Sequence, residues 1–158
     1  MLTTSDLKTF MKENNLVGEI ILLEEATPTV EAAASALGTT KDRIVKSVLF
    51  TIGEKKILAI TRGTRYIEQR AIAAHFNVGR KRVKLASAEV VLSVTGYPVG
   101  TVPPFGHHST VDVLMDPSVL ELDAIFAGGG SHNAMVKLDP KEILTVTKAD
   151  IIDLHSKP

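Results

Sequence analysis

The spacing of apolar residues changes several times along the chain, and each change marks an element. Leu7, Phe10 and Met11 recur at helical spacing over residues 5–14, and Thr4 or Ser5 can accept from the first free amides, so the spacing predicts an amphipathic helix. After Gly18, the run Glu19-Ile20-Ile21-Leu22-Leu23 is short, apolar and partly β-branched, which suits a buried strand. Pro28 and Thr29 open a second helix over residues 29–37. Ala32, Ala33 and Ala34 propagate it and let it lie close to a sheet, and Gly38 fits the left-handed stop position. Residues 43–52 and 56–62 are apolar strands around Gly53-Glu54-Lys55, the length and composition of a hairpin turn, so they are expected to pair antiparallel.

Helical spacing returns over residues 68–76, through Ala71, Ile72 and Phe76, and over 87–95, with Ser87 as cap and Gly96 as stop. Residues 97–109 then hold three prolines and two glycines, a loop of unusual length for a compact domain. Strands are expected at 111–115, 124–127 and 135–138, and Asp139-Pro140 opens a last short helix. Helices and strands interleave, yet some strands follow one another directly. The fold class is therefore α/β or mixed α+β, with a mixed rather than purely parallel sheet. With no repeat or linker, the 158 residues read as one domain, 1–158.

Composition narrows the chemistry. There is no cysteine, which excludes disulfides, thiolate metal sites and a thiol nucleophile. Eighteen basic and eighteen acidic residues cancel, so a nucleic-acid partner would need a local basic patch. No apolar run reaches the roughly 20 residues of a membrane span, and the N-terminus shows no basic segment ahead of an apolar one. A cytoplasmic protein without a membrane partner is the expectation.

Several residues are candidates for chemistry. Lys46 lies among the apolar or small residues Ile44, Val45, Ser47, Val48, Leu49 and Phe50. Strand alternation would place it on a solvent face, whereas a pocket would make it the cation for a phosphate or carboxylate. In the loop, Pro103 and Pro104 cannot donate. Amides aimed at an oxyanion would come from Gly100, Thr101 and Val102, or from Phe105 and Gly106, each donor worth ~2.7–4 kcal/mol in acyl transfer. A rigid surface turn is the competing reading. Gly128-Gly129-Gly130 lacks the ending of a P-loop and the spacing of a dinucleotide fingerprint. It is either a tight bend that brings backbone and His132 to a substrate, or a plain hairpin connection. His107, His108 and His132 lack metal-ligand spacing, so no metal or other cofactor is expected. No Gly-x-Ser-x-Gly elbow surrounds Ser47 or Ser131, so an enzyme built here would use an external nucleophile. Arg80, Lys81, Arg82 and Lys84, with Arg62, Arg65 and Arg70 upstream, form the densest basic cluster, either a phosphate-neutralising patch or a solvated surface.

Together, Ile44-Val45-Lys46-Ser47, the segment from Thr95 through Gly96-Tyr97-Pro98-Val99-Gly100-Thr101-Val102-Pro103-Pro104-Phe105-Gly106-His107, and the Gly128-Gly129-Gly130 bend resemble the YbaK-like family. That family includes the editing domain inserted in bacterial prolyl-tRNA synthetase and its free-standing relatives. The resemblance spans about residues 30–154, and the central loop is its specific part. It implies a mixed α/β domain with a partly barrel-like sheet and flanking helices. The implied activity is metal-free hydrolysis of the ester in mischarged tRNA, acting on tRNA-Pro carrying cysteine, alanine or another small amino acid.

The family's essential lysine matches Lys46. Its glycine-x-x-x-proline loop matches Gly100 to Pro104, and a pocket histidine of some branches matches His132. The resemblance thus implies Lys46, Gly100, Thr101 and Val102 as catalytic, and Gly129, Gly130, His132, Pro104 and Phe105 as substrate-binding. Arg80, Lys81 and Arg82 are the candidate tRNA contacts. The implied partners are the 3′ end of mischarged tRNA and prolyl-tRNA synthetase, and a monomer is expected. Ser131-His132-Asn133 departs from the basic residues of the cysteine-specific branch, which keeps alanine, serine and threonine open. The rival readings are a non-catalytic tRNA- or synthetase-binding module and a small-molecule esterase.

Overall fold

A computed structural model describes residues 1–156. Its elements run in the order α1 (Thr4–Glu13), β1 (Glu19–Leu22), α2 (Val30–Leu37), β2 (Val45–Ile52), β3 (Lys55–Arg62), α3 (Gln69–His75) and β4 (Val83–Leu85). They continue as α4 (Ala88–Thr95), β5 (Asp112–Met115), α5 (Pro117–Leu120), β6 (Ile125–Gly128), β7 (Ala134–Leu138), α6 (Pro140–Thr147) and β8 (Asp150–Ile151). Single 3-10 turns at Lys41–Arg43 and Arg80–Arg82 lead into β2 and β4.

The strands form two sheets. One holds five strands in the order β4-β2-β3-β5-β8, antiparallel at β4/β2 and β2/β3 and parallel at β3/β5 and β5/β8. The other is antiparallel, β1-β7-β6. A single bridge from Ile44 to Phe126 joins them, so the fold is mixed α/β with flanking helices and the sheets do not close into a barrel. The hairpin between β2 and β3 is one residue tighter than the sequence suggests. Ile52 pairs with Lys55, and Gly53 takes φ 58° at the first position of a two-residue turn, a left-handed conformation that glycine adopts freely.

Caps set the helix boundaries. Thr29 accepts from Ala32 N–H at the start of α2, Ser87 accepts from Val90 N–H at the start of α4, and Gly38 and Gly96 end these helices in the left-handed region. The cap of α1 is Thr3 rather than Thr4 or Ser5. Its side chain accepts from Asp6 N–H while the Asp6 carboxylate accepts from Thr3 N–H, the reciprocal pair that satisfies two free donors. This frees Thr4, whose hydroxyl donates to Gly129 O at 2.7 Å and ties α1 to the glycine bend.

Side-chain alternation on β2 and β3 separates the interior. Val45, Leu49, Leu58 and Ile60 point into the main core beside α1, α4, Tyr97, Val102 and Phe105. Phe50, Ile52, Ile57 and Ala59 point into a second core under α3 and β4. Ile44 joins a third cluster, with Ala33 and Ala34 of α2, Phe126 and Met135.

Candidate functional site

Lys46 stands between two of these apolar clusters. On its face of β2 the neighbours two residues away are Ile44, under α2, and Val48, beside the second core, so the ammonium stem crosses the gap between them. The residue is half-buried, and among the described residues the Lys46 ammonium makes no hydrogen bond or ion pair. Partial loss of water therefore lowers its pKa from the ordinary 10.5. A cation so placed lacks the anion that would stabilise it.

A cavity of about 190 Å³ adjoins it, lined by Thr27, Pro28, Thr29, Ile44, Lys46, Ser47 and Gly100, among others. The strand pairings explain why it exists. On the side away from β3, β2 pairs with β4 only at Phe50 to Ile52, and Ile44 bridges to β6. Between those points the edge of β2 has no strand neighbour, and the seam between the sheets stays open. Ser47 lines this seam, and its hydroxyl is buried without a hydrogen-bond partner among the described residues. A buried hydroxyl left in that state is costly unless a ligand completes it.

The proline-rich loop forms the opposite wall. Thr101 is 1% exposed, and both its N–H and its hydroxyl donate to Pro98 O, at 3.1 and 2.7 Å. That turn removes Thr101 N–H from the donors sought for an oxyanion. Gly100 N–H and Val102 N–H on either side have no acceptor among the described residues, and both residues line the cavity. Gly100 adopts φ 86°, which a side chain would strain.

The glycine bend buttresses this wall from behind. Gly130 N–H donates to Thr101 O at 2.9 Å, and Gly129 N–H donates to Ala134 O at 3.0 Å. A Cβ on Gly128 would stand 2.5 Å from Val102 O, and one on Gly129 would stand 2.6 Å from the Ala134 carbonyl. The glycines therefore allow backbone to pack on backbone. Gly128 lines the cavity, whereas Gly129 and Gly130 hold the wall in place.

Two further sequence candidates lie away from the cavity. Phe105 is buried in the main core and stacks on Phe10 with ring centroids 5.7 Å apart, and Pro104 is buried beside it, so both anchor the loop. His107 reinforces the anchor through its Nε2–H, which donates to Pro103 O at 2.7 Å, and burial lowers its pKa. His132 is exposed at the rim, with its Cε1 3.9 Å from the position of a Cβ on Gly100. Among the described residues no three histidines or carboxylates gather as a metal site.

Arg80, Lys81 and Arg82 are exposed on the turn into β4, at the far end of β2. Val83 pairs with Ile52, and six residues of strand separate Ile52 from Lys46, roughly 20 Å at about 3.3 Å per residue. The cluster flanks the site at a distance and is no part of it. Sequence reasoning missed the wall built by Thr27, Pro28, Thr29, Val30 and Ala33. The only signal was the helix start at Pro28-Thr29, which carries no information about what the helix faces.

The family model for the aminoacyl-tRNA editing domain matches residues 24–146. The chain belongs to the aminoacyl-tRNA editing domain family. It is 29% identical over 143 residues to the uncharacterized protein YwhH of Bacillus subtilis (strain 168), covering 90% of this chain and 89% of that one. It is 38% identical over 98 residues to the proline–tRNA ligase of Maridesulfovibrio salexigens, covering 60% of this chain but 17% of the ligase, so the chain spans only a small part of that relative. A solved structure provisionally described as a trans-editing enzyme for prolyl tRNA synthetase superposes with a TM-score of 0.88 at 25% identity, covering 99% of each chain. Within the editing domain, no helix among the described residues is long and apolar enough to cross a membrane.

Proposed function

We propose that this editing domain, as the single domain 1–158, hydrolyses the ester of mischarged tRNA in trans. The observation that carries the reading is one cavity lined by Lys46, whose ammonium is unpaired among the described residues, and by Gly100 and Val102, whose N–H groups are unengaged. In this reading Lys46 binds the terminal phosphate or ribose, and the two amides receive the carbonyl oxygen as it becomes an oxyanion. An aminoacyl ester is already activated, so orientation and charge stabilisation supply much of the acceleration. Water, assisted by the neighbouring ribose hydroxyl, adds to the carbonyl carbon. The bond to the ribose oxygen then breaks, and the proton from water ends on that oxygen.

The cavity limits the amino acid. At about 190 Å³, below the roughly 300–1,000 Å³ of drug-sized ligand sites, and lined by Val30, Ala33, Ile44, Val102 and Met135, it suits a small uncharged side chain. Such a pocket separates neighbours differing by one methylene by only ~1–3 kcal/mol. Alanine, cysteine, serine and threonine all fall within that range.

The relatives favour tRNA-Pro as the carrier, with prolyl-tRNA synthetase as the enzyme whose errors are corrected. The protein works as a cytoplasmic monomer in this account. The test is single-turnover deacylation of tRNA-Pro charged with alanine, cysteine, serine, threonine or proline. Loss of at least one small-residue ester well above the buffer rate, with prolyl-tRNA spared, is the expected outcome. Uniform inactivity on all five would leave a tRNA-binding module instead.

A further inference from the structure

Tyr66 is the sole exposed residue among the phenylalanines and tyrosines of the described residues, at 73% exposure, while every phenylalanine and Tyr97 is buried or half-buried. Its loop is held firmly. Glu68 N–H donates to Leu154 O at 2.7 Å, Arg65 N–H donates to Arg62 O at 3.0 Å, and His155 Nδ1–H donates to Tyr66 O at 2.7 Å. The other ring nitrogen of His155 lies 3.0 Å from the Thr61 hydroxyl and 3.2 Å from the buried Asp116 carboxylate. Thr61 is the cross-strand partner of Lys46 and shares its face of the sheet. One imidazole thus ties the loop of Tyr66 to the strand position that pairs with Lys46. Arg65 precedes Tyr66 directly and Arg70 follows it by four residues in α3; both are exposed and form no ion pair among the described residues.

An exposed aromatic ring on a fixed loop, with unpaired arginines close by in the chain, has the composition that binds unpaired nucleotides by stacking and phosphate attraction. We infer that Tyr66 is the platform on which the unpaired 3′-terminal base of the tRNA stacks while its ester occupies the Lys46 cavity. Arg65 and Arg70 attract the adjoining phosphates. This deepens the editing assignment proposed above and rests on it. The stack fixes where the chain end lies and leaves the acyl chemistry to Lys46 and the loop amides.

The chain contains no tryptophan, so Tyr66→Trp introduces a single fluorescent reporter at the platform. The probes are uncharged tRNA-Pro with its complete 3′ end and the same RNA lacking the terminal adenosine. Fluorescence is expected to be quenched on titration with the complete RNA and little changed by the shortened one. In deacylation, Tyr66→Ala is expected to raise KM by about 5- to 150-fold, the span of one base-aromatic stack, with kcat within twofold, while Tyr66→Phe stays near wild type. Equal quenching by both RNAs, or no quenching, overturns the platform. So does an unchanged KM in Tyr66→Ala. If the terminal adenosine quenches the reporter but no ester is hydrolysed, the platform stands and the hydrolase assignment falls.

Discussion

A side chain on Gly128 would place its Cβ 2.5 Å from Val102 O and 2.8 Å from Thr101 O, so the bend after β6 is pressed directly against the loop that offers the free amides. Both obstacles are backbone and neither is the far end of a flexible side chain. Gly128→Ala must therefore displace the loop. The expected result is a loss of about 1–3 kcal/mol in denaturant unfolding together with loss of deacylation. A variant as stable and active as wild type would show that the wall need not be this tight.

Lys46 gives a prediction of the opposite sign for stability. Burial lowers its pKa, so at neutral pH the folded state keeps a charge whose desolvation is unfavourable, and that cost lessens as pH rises through the lowered value toward the ordinary 10.5. Lys46→Met removes it. Its melting temperature at pH 7 is expected to exceed that of wild type, with the gap narrowing as pH approaches 10.5. A melting temperature below wild type at pH 7 would mean that Lys46 supports the fold.

His107 sets an acid limit. Burial lowers its pKa below the ordinary 6.5, and the bond to Pro103 O acts in the other direction with less weight. Its contribution is therefore complete above pH 6.5 and is lost as pH falls through the lowered value. His107→Gln should show a smaller drop in melting temperature between pH 7 and 5 than wild type does. Identical pH profiles would refute this role.

The hairpin of β2 and β3, apart from one residue of its turn, and the caps of α2 and α4 were legible because period, turn residues and capping are local properties. Strand β4 was not, because Val83, Lys84 and Leu85 follow a basic run and gain their meaning only by pairing with β2. Strand β8 has two residues, held by parallel pairing with β5 that no local pattern announces. Helix α5 starts at Asp116-Pro117 with the same signal as Asp139-Pro140, but its four residues are too few for a helical period to show in the sequence. In the site, Lys46 and the loop stood out as chemical oddities. Which loop amides remain free was not legible, since that depends on Thr101 turning back onto Pro98.

The basic turn tests tRNA contact independently of catalysis. Arg80, Lys81 and Arg82 are exposed and form no ion pair among the described residues, so they are free to neutralise phosphates. In filter binding of uncharged tRNA, Arg80→Ala and Arg82→Ala should each reduce the slope of log affinity against log salt by about 0.7–0.9. An unchanged slope in the double variant would place the RNA elsewhere.

The reaction to measure is ester hydrolysis at the Lys46 cavity. Its most direct measurement is the single-turnover rate on alanyl-, cysteinyl-, seryl- and threonyl-tRNA-Pro for wild type and Lys46→Ala, with folding of the variant checked by its melting curve. Hydrolysis of at least one ester by wild type, and a fall of about 100-fold or more in a fully folded Lys46→Ala that leaves the phosphate without its cation, are the expected results. Equal rates for the two proteins, or no hydrolysis above buffer by wild type, would contradict them.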